Sequence, residues 1–378
     1  MKRTPFYDFH NQHNARFVEF AGYEMPLLYS SIIEEHQHVR AAGGLFDVSH
    51  MGRVKFTGRH ARRFLERILT RRVSDQKPNT CRYAMVCNER GGVMDDVIVY
   101  RFDDHWLLVV NAANREKLLA HFNAHLGDLS LKIEDQTEKT AMIAAQGPKV
   151  MDLIGKFSSE VPTLKRFHFC TKNLLVLKLV ISRTGYTGED GVEVILPANM
   201  ASMAIKLLLK DQSETAVIKP AGLGARDTLR IEAAMPLYGH EIGEDIDPFS
   251  AGLDFAVNLD KGEHDNGEPF IGQDALKTIA QAGPPRKLVG LAFDGKRTPR
   301  QHAEITISDK PVGQVTSGCL SPTLGHPIAM ALIERDAANP GDTVQVNLGR
   351  TILDATVAPL PFYKKTPSKA AAPATSEQ

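Results

Sequence analysis

Alternating apolar and polar positions predict a three-stranded antiparallel meander near residue 90. The apolar runs are residues 83–89 (YAMVCNE), 93–102 (VMDDVIVYRF) and 106–112 (WLLVVNA). The segments between them, Arg-Gly-Gly at 90–92 and Asp-Asp at 103–104, contain the residue types that favour tight turns. Strands joined by such short turns pair in an antiparallel manner, so this region should form a sheet.

Helical spacing appears on either side of the meander. Residues 61–69 (ARRFLERIL) place apolar side chains on one face and arginines largely on the other, which predicts an amphipathic surface helix. Residues 115–127 predict a second helix. We expect Asn114 to cap its first turn and Gly127 to end it.

Later apolar runs predict a second sheet and a separate barrel. Residues 173–196 resemble two apolar strands joined by a polar loop, SRTGYTGEDG. Six short strands at regular spacing follow a Gly-Pro-Pro sequence and predict a small C-terminal β-barrel, because successive prolines stop helices. We therefore expect an N-terminal region at 1–265, a linker at 266–285, the barrel at 286–364 and a disordered tail at 365–378.

Length and composition limit the class of protein. A chain of 378 residues exceeds the size of a single hydrophobic core, so two or three packed units are expected. Lysine plus arginine equals aspartate plus glutamate at 45 each, which argues against a nucleic-acid binder. No apolar run approaches the roughly 20 residues of a membrane helix. We see no signal or transit peptide and expect a cytoplasmic protein of bacterial type. Four cysteines without a CxxC pair predict free thiols.

Two adjacent aspartates, Asp95 and Asp96, interrupt the apolar second strand of the meander. Aspartate is disfavoured in strands, and side chains alternate between the two faces. Asp95 and Asp96 should therefore point in opposite directions, and one carboxylate must enter the core or a cavity. The alternative to a functional carboxylate is an aspartate that binds backbone amides where the hairpin begins.

Glu193 and a pair of arginines are further candidates. Glu193 lies on an apolar strand after the loop at 182–191, where a buried carboxylate needs hydrogen-bond donors. The paired N–H edge of a pterin would supply them, although the loop by itself could be a simple hairpin. Arg226 and Arg230 lie four residues apart on a predicted helix. They form either a surface pair bonded to Asp227 or Glu232, or a clamp for a substrate carboxylate.

Several cofactor motifs are missing. The segment at 222–227 (GLGARD) ends in aspartate where a dinucleotide-binding loop needs glycine or alanine. His36 and His38 lie two apart on a predicted helix, so they point about 200° apart and cannot easily share a metal. We therefore expect neither a nucleotide nor a metal cofactor.

Eight motifs in series resemble the glycine cleavage T-protein family. They occur in the family's order across residues 3–364: FAGYEMPLLY (20–29), GLFDVSHMG (44–52), GGVMDDVIVY (91–100), VVNAAN (109–114), SRTGYTGEDGVE (182–193), PAGLGARDTLRIEA (220–233), LYG (237–239) and TSGCLSPTLG (316–325). The resemblance implies an α+β fold with antiparallel sheets, in which three units form a clover leaf around a central folate channel. The first two units would interleave within 1–265, and the barrel would be the third.

The resemblance also implies a reaction and roles for residues. The aminomethyl group on the lipoyl arm of a carrier, the H protein, would be split into ammonia and a one-carbon unit that tetrahydrofolate accepts. Asp96 would be catalytic, beside folate nitrogens 5 and 10, and Glu193 would bind the pterin. Arg226 would lie near the p-aminobenzoyl and glutamate portion, and Tyr363 or Lys364 would close that end. The remaining positions in the implied folate pocket are Met51, Tyr83, Tyr100, Asn111, Tyr186 and Tyr238.

Two other functions are compatible with the implied fold. Folate-dependent demethylases of sulfonium substrates do not retain the carboxylate equivalent to Asp96, so its presence favours aminomethyl transfer. A non-enzymatic folate-binding assembly factor for iron–sulfur proteins would need a KGCYxGQ-type segment, which the sequence lacks. A basic stretch is either a docking surface for an acidic carrier or a solvated helix face: Arg59, Arg62, Arg63, Arg67, Arg71 and Arg72.

Overall fold

The computed structural model describes residues 1–174, 177–209, 211, 213–263 and 268–365. Within that part of the chain the α-helices are α1 (Tyr7–Gln12), α2 (Ile32–Ala41), α3 (Ala61–Ile68), α4 (Arg115–Ala124), α5 (Val150–Gly155), α6 (Ala201–Leu208), α7 (Leu223–Glu232) and α8 (Gln273–Ala282). The strands are β1 (Arg16–Phe20), β2 (Tyr23–Leu28), β3 (Gly44–Asp47), β4 (Gly52–Thr57), β5 (Thr80–Cys87), β6 (Val93–Arg101), β7 (Trp106–Val110), β8 (Lys132–Asp135), β9 (Thr140–Gln146), β10 (Phe169–Leu174), β11 (Leu177–Ser182), β12 (Gly191–Pro197), β13 (Lys219–Pro220), β14 (Arg286–Phe293), β15 (Glu304–Ile307), β16 (Lys310–Leu320), β17 (Pro327–Glu334), β18 (Thr343–Asn347) and β19 (Ile352–Ala358).

A five-stranded sheet in the order β5-β6-β7-β4-β8 forms the first unit. Strands β5, β6 and β7 are antiparallel neighbours, so the predicted meander is confirmed. Helix α3 packs its apolar side, with Phe64, Leu65 and Ile68 buried, against this sheet. The predicted amphipathic helix is therefore confirmed, and the burial of its apolar face stabilises the unit.

Helix α4 differs from the expectation at both ends. It spans Arg115–Ala124 and stops before Gly127. The side chain of Asn114 makes no capping hydrogen bond; instead, its Nδ2 donates to Asp95. The predicted cap was wrong because the buried carboxylate of Asp95 needs hydrogen-bond donors from the protein, whereas the amides in the first turn of a helix can bind water.

A six-stranded sheet in the order β10-β11-β12-β9-β3-β13 forms the second unit. Strand β3 precedes the five-stranded sheet in the chain and the others follow it, so the two units interleave. The pair β13 and β3 is parallel, which departs from an all-antiparallel arrangement. The two strands predicted at 173–196, joined by a polar loop, are β11 and β12, which pair in an antiparallel manner. Residues 173–174 belong to a further strand, β10, and residues 175–176 lie outside the described part of the chain.

Strands β14 to β19 form a closed barrel in the order β14-β17-β16-β15-β18-β19. The barrel closes where Gly290–Phe293 of β14 pair with Ala355–Ala358 of β19, which confirms the predicted C-terminal barrel. The linker predicted at 266–285 contains α8, whose Leu276 is buried in a core cluster with Met85. The tail predicted at 365–378 lies outside the described residues except for Lys365.

The three units meet around a central cavity, which confirms the predicted three-unit α+β arrangement. Between the two sheets, Tyr100 and Val109 pack against Phe46, Met142 and α7. A loop after α7 covers the start of β6, where Val93 donates a backbone hydrogen bond to Gly243. A Cβ on Gly92 would lie 1.8 Å from the carbonyl oxygen of Glu244, so glycine is needed for this close approach.

Two further properties concern the class of protein. No helix in the described ranges is both long and apolar enough to cross a membrane. The four cysteines are free thiols, and all four are buried.

Candidate active site

The central cavity has a volume of about 970 Å³, large enough for a ligand of cofactor size. Its walls come from β5, β6, β9, β12 and α7, and Leu288 and Leu360 close it from the side of the barrel. Residues predicted from the sequence as site residues line it together: Met51, Tyr83, Asp96, Tyr100, Asn111, Tyr186, Glu193, Arg226 and Tyr238. All three units therefore contribute to one site.

Asp96 points into the cavity, whereas Asp95 points into the core. Burial alternates along β6 as expected for a strand with one face on a hydrophobic core. The Asp96 carboxylate accepts hydrogen bonds from the hydroxyl of Tyr83 at 3.1 Å and from Nδ2 of Asn111 at 2.7 Å. Burial raises the pKa of Asp96. Both partners are neutral, so a cation entering the cavity would stabilise the ionised carboxylate.

Asp95 organises the neighbourhood of Asp96 from the core side. Its carboxylate accepts from the backbone N–H of Asn111 at 3.0 Å, from Asn111 Nδ2 at 2.9 Å and from Asn114 Nδ2 at 2.5 Å. Burial, followed by the charge of Asp96, raises the pKa of Asp95. Asn111 is thus shared between the two carboxylates, and Asp95 fixes the amide that holds Asp96.

Glu193 ends a chain of hydroxyl groups. Thr184 Oγ1 donates to the Glu193 carboxylate at 2.6 Å, and Ser182 Oγ lies 2.7 Å from Thr184 Oγ1. The Tyr100 hydroxyl lies 2.9 Å from Ser182 Oγ. Each hydroxyl has a single hydrogen, so an ionised Glu193 sets the direction of the chain: Tyr100 donates to Ser182, which donates to Thr184. The network fixes one carboxylate oxygen at the cavity wall.

Arg226 lies among aromatic rings. Its guanidinium carbon lies 4.9 Å from the centre of the Tyr186 ring and 5.9 Å from that of Phe46. The Tyr186 hydroxyl donates to the carbonyl oxygen of Pro236 at 2.5 Å, which holds the ring in place. Burial lowers the pKa of Arg226. The position suits contact with an aromatic or oxygen-bearing part of a ligand.

Arg230 lines the cavity but does not lie on the surface of the protein. It is 1% exposed, so a surface pair is wrong, although it does bind Asp227 at 2.8 Å. It also donates to Glu241 at 2.8 Å and to Ser317 of the barrel at 2.7 Å. These bonds hold Arg230 in place, so it stabilises the wall formed by α7 and the barrel.

The sequence analysis did not identify Phe255, which lines the cavity, or Lys117, which contacts the lining residue Tyr238. Lys117 donates to the Tyr238 hydroxyl at 2.7 Å and to Glu244 at 2.8 Å, and it fixes one rim of the cavity. Phe255 stacks on Tyr83 with ring centres 6.0 Å apart and is 61% exposed. Neither residue belongs to a local motif, because each reaches the site only through tertiary packing.

Tyr363 lies beside the site rather than in its lining. Its hydroxyl donates to Glu189 at 2.8 Å, and the Arg40 guanidinium stacks on its ring at 3.8 Å. Its backbone N–H donates to the carbonyl oxygen of Glu232 at 2.8 Å. Tyr363 therefore anchors the C-terminal segment to α7. In the same segment, Lys365 Nζ lies 3.9 Å from Oε2 of Glu189.

Glu232 is the centre of a buried junction, which we call the Glu232 junction. Its carboxylate accepts from Arg40 at 2.9 Å, from the backbone and hydroxyl of Thr323 at 3.1 and 2.8 Å, and from Ser321. His36 Nε2 lies 3.2 Å away. Burial alone would raise the pKa of Glu232, but the hydrogen bonds from His36, Ser321 and Arg40 lower it to about 2. The junction ties α2 and α7 to the barrel.

His36 of the HxH sequence is surrounded by protein partners. His36 is bonded to Thr228 at 2.8 Å and to Thr323 at 2.9 Å, in addition to its contact with Glu232. Across the part of the chain that the structure describes, no group of three or more His, Cys, Asp or Glu side chains could hold a metal ion. His36 is engaged in packing α2 against α7.

Two family models match the chain: the GCVT N-terminal domain at residues 6–261 and the glycine cleavage T-protein C-terminal barrel domain at residues 286–364. An aminomethyltransferase from Rubrobacter xylanophilus is 44% identical over 367 residues, covering 97% of this chain and 95% of the relative. One from Caldanaerobacter subterraneus is 42% identical over 372 residues, with 98% of both chains covered.

A solved structure gives the same match in three dimensions. The glycine cleavage system aminomethyltransferase T from Bartonella henselae superposes with a TM-score of 0.87 at 31% identity, covering 96% of this chain and 98% of that one. The similarity therefore extends over all three units.

Proposed function

The chain belongs to the glycine cleavage T-protein family and is a folate-dependent aminomethyltransferase, and we propose that its central cavity binds tetrahydrofolate with Asp96 at the reacting nitrogens. The observation that carries this proposal is the position of Asp96. It is a buried carboxylate that faces a cavity of about 970 Å³ and has only neutral partners within the described residues. Such a group is suited to stabilise positive charge on a substrate.

Tetrahydrofolate, when bound, supplies the two nitrogens that take the carbon, and their two hydrogens appear in the ammonia and in the freed carrier thiol. Asp96 has two tasks in this proposal. Its negative charge stabilises the cation that develops as ammonia leaves, and it holds a proton-bearing nitrogen in position. Tyr83 and Asn111 keep the carboxylate oriented, so little reorganisation accompanies the reaction.

Glu193 fits the pterin end of the folate. A pterin presents an amino group and a ring N–H side by side, and a carboxylate can accept both. The hydroxyl chain from Tyr100 occupies part of the Glu193 carboxylate and orients the rest toward the cavity. These residues therefore fit the proposed ligand without help from a metal.

The proposed reaction also needs a carrier protein that brings the aminomethyl group to the cavity. We propose that the lipoylated H protein delivers the aminomethyl group at the rim marked by exposed Phe255, which stacks on Tyr83, the partner of Asp96. The relatives named above are bacterial, and we also propose that the reaction takes place in the cytoplasm.

Ammonia release tests the function directly. We expect ammonia from an aminomethyl-lipoyl carrier to form rapidly only when tetrahydrofolate is present, together with an equal amount of methylenetetrahydrofolate. Dialysis against a chelator should leave the rate unchanged, since the one-carbon chemistry lies in the folate. Ammonia without a folate product, or activity that returns only with added metal, would contradict the proposal.

Carrier docking should depend on charge near this rim. Arg71 donates through Nη1 to the carbonyl oxygen of Phe255 at 2.9 Å, which places it by the rim. Arg62, on α3, belongs to the same basic stretch and is exposed. We expect Arg71→Glu to raise the KM for the carrier, most strongly at low salt, and Arg62→Glu to have a smaller effect. If both variants keep the wild-type KM for the carrier at all ionic strengths, the basic stretch is a solvated surface.

A further inference from the structure

The turn between β3 and β4 is held rigidly at the cavity wall. Arg53 is fully buried, and its guanidinium donates to the carbonyl oxygens of Ser49 and Met51 and, at 2.9 Å, to that of Thr140. Asp47 accepts from the backbone N–H of Ser49 at 2.9 Å. These bonds fix the backbone on both sides of residue 50.

His50 is presented by this turn and lines the cavity. It is 4% exposed, and its ring meets that of Phe20 edge-on, with centres 5.5 Å apart. In the described part of the chain, its buried Nδ1 has no hydrogen-bond partner. Burial, together with the charges of Arg226 and Arg53 and against that of Asp47, lowers the pKa of His50 to about 4. The ring is therefore neutral at pH 7.

Arg226, which lines the same cavity, is also incompletely engaged. Its buried Nη1 has no hydrogen-bond partner among the described residues. A guanidinium nitrogen can only donate, whereas a neutral imidazole can donate through one nitrogen. Leaving a buried polar atom unsatisfied is costly, so such atoms in a cavity wall point to a ligand or an ordered water.

We propose that His50 is a folate-binding residue, which donates from Nδ1 to a carbonyl oxygen of tetrahydrofolate on the wall that it shares with Arg226. This inference rests on the proposed function, because the ligand is the folate named there. Folate offers two such oxygens: one on the pterin ring, close to nitrogen 5, and one on the benzoyl amide, across the benzene ring from nitrogen 10. Because His50 stays neutral, it contributes to recognition without adding a second positive charge close to the site of the developing cation.

Calorimetry with the full chain tests the role of His50. His50→Phe keeps a flat ring in the turn but removes the hydrogen bond, and we expect the Kd for tetrahydrofolate to rise roughly five- to twentyfold. His50→Gln retains a donor and should restore the Kd to within about threefold of the wild-type value. The melting temperature of each variant is measured alongside. If His50→Phe does not fold, His50→Ala takes its place. A Kd that rises in His50→Ala but not in His50→Gln supports the inference, and a wild-type Kd in His50→Ala overturns it.

A second ligand distinguishes the two oxygens. A tetrahydropterin that lacks the benzoylglutamate carries only the ring oxygen, so an effect of His50→Phe on both ligands assigns the bond to the pterin. An effect on tetrahydrofolate alone assigns it to the benzoyl amide. Unchanged affinity for both ligands in a folded His50→Phe would overturn the inference and leave Nδ1 to a water. A wild-type protein that binds no tetrahydrofolate would instead overturn the proposed function.

Discussion

Asp96→Asn should lower kcat by about 10² to 10⁴, equivalent to roughly 3 to 5 kcal/mol of barrier, while tetrahydrofolate still binds. Asparagine keeps the size of the side chain but removes the charge that stabilises the developing cation. Burial raises the pKa of Asp96, so the acid limb of kcat/KM should also lie above the ordinary range for aspartate and be absent from the variant. Turnover at saturating folate and carrier, measured across pH, gives both results.

Asp95→Asn is the matched control for this prediction. It would set an amide against the N–H donors of Asn111 and Asn114, so it should reduce the free energy of unfolding by about 1–3 kcal/mol. Its effect on kcat should be smaller than that of Asp96→Asn, and Tyr83→Phe, which removes one bond to Asp96, should be milder than Asp96→Asn. A larger kinetic loss in Asp95→Asn would mean that the two aspartates have been given each other's roles.

Glu193→Ala should weaken tetrahydrofolate binding by roughly 2 to 4 kcal/mol, or about 30- to 1000-fold in Kd. The variant loses a carboxylate that we expect to accept two hydrogen bonds from the pterin in a buried site. Thr184→Val offers a graded comparison, because it removes only the hydroxyl that orients Glu193. Isothermal calorimetry on folded protein measures both effects. An unchanged Kd in Glu193→Ala would leave Glu193 with a purely structural role.

Local sequence patterns predict the structure correctly where burial alternates regularly along a helix or strand. In β6 the alternation of side chains separates Asp95 from Asp96, and the structure has that separation because one face of the strand rests on the core. Helix α3 and the barrel strands follow the same logic. In these elements the hydrophobic pattern and the tertiary structure require the same arrangement, so the sequence alone predicts them.

Local sequence patterns do not predict the surroundings of a residue whose partner lies far away in the chain. Arg230 resembles a surface residue beside Asp227, but Glu241 and Ser317 bury it. Asn114 stands in a capping position, but Asp95 takes its amide. Strand β10 was missed because its sequence, FCTKNL, mixes apolar and polar residues without a regular alternation. Such outcomes depend on contacts between elements, which no local spacing encodes.

The Glu232 junction limits how far this protein can be treated as two modules. A cut between the two segments matched by the family models would remove Ser321, Thr323 and Tyr363 from a glutamate that is fully buried in the intact chain. The N-terminal fragment would then carry a carboxylate that has lost several of its donors, and the exposed seam would favour aggregation. Barrels exchanged between relatives should therefore yield stable chimeras only when the incoming barrel carries a serine and a threonine at the positions that reach Glu232.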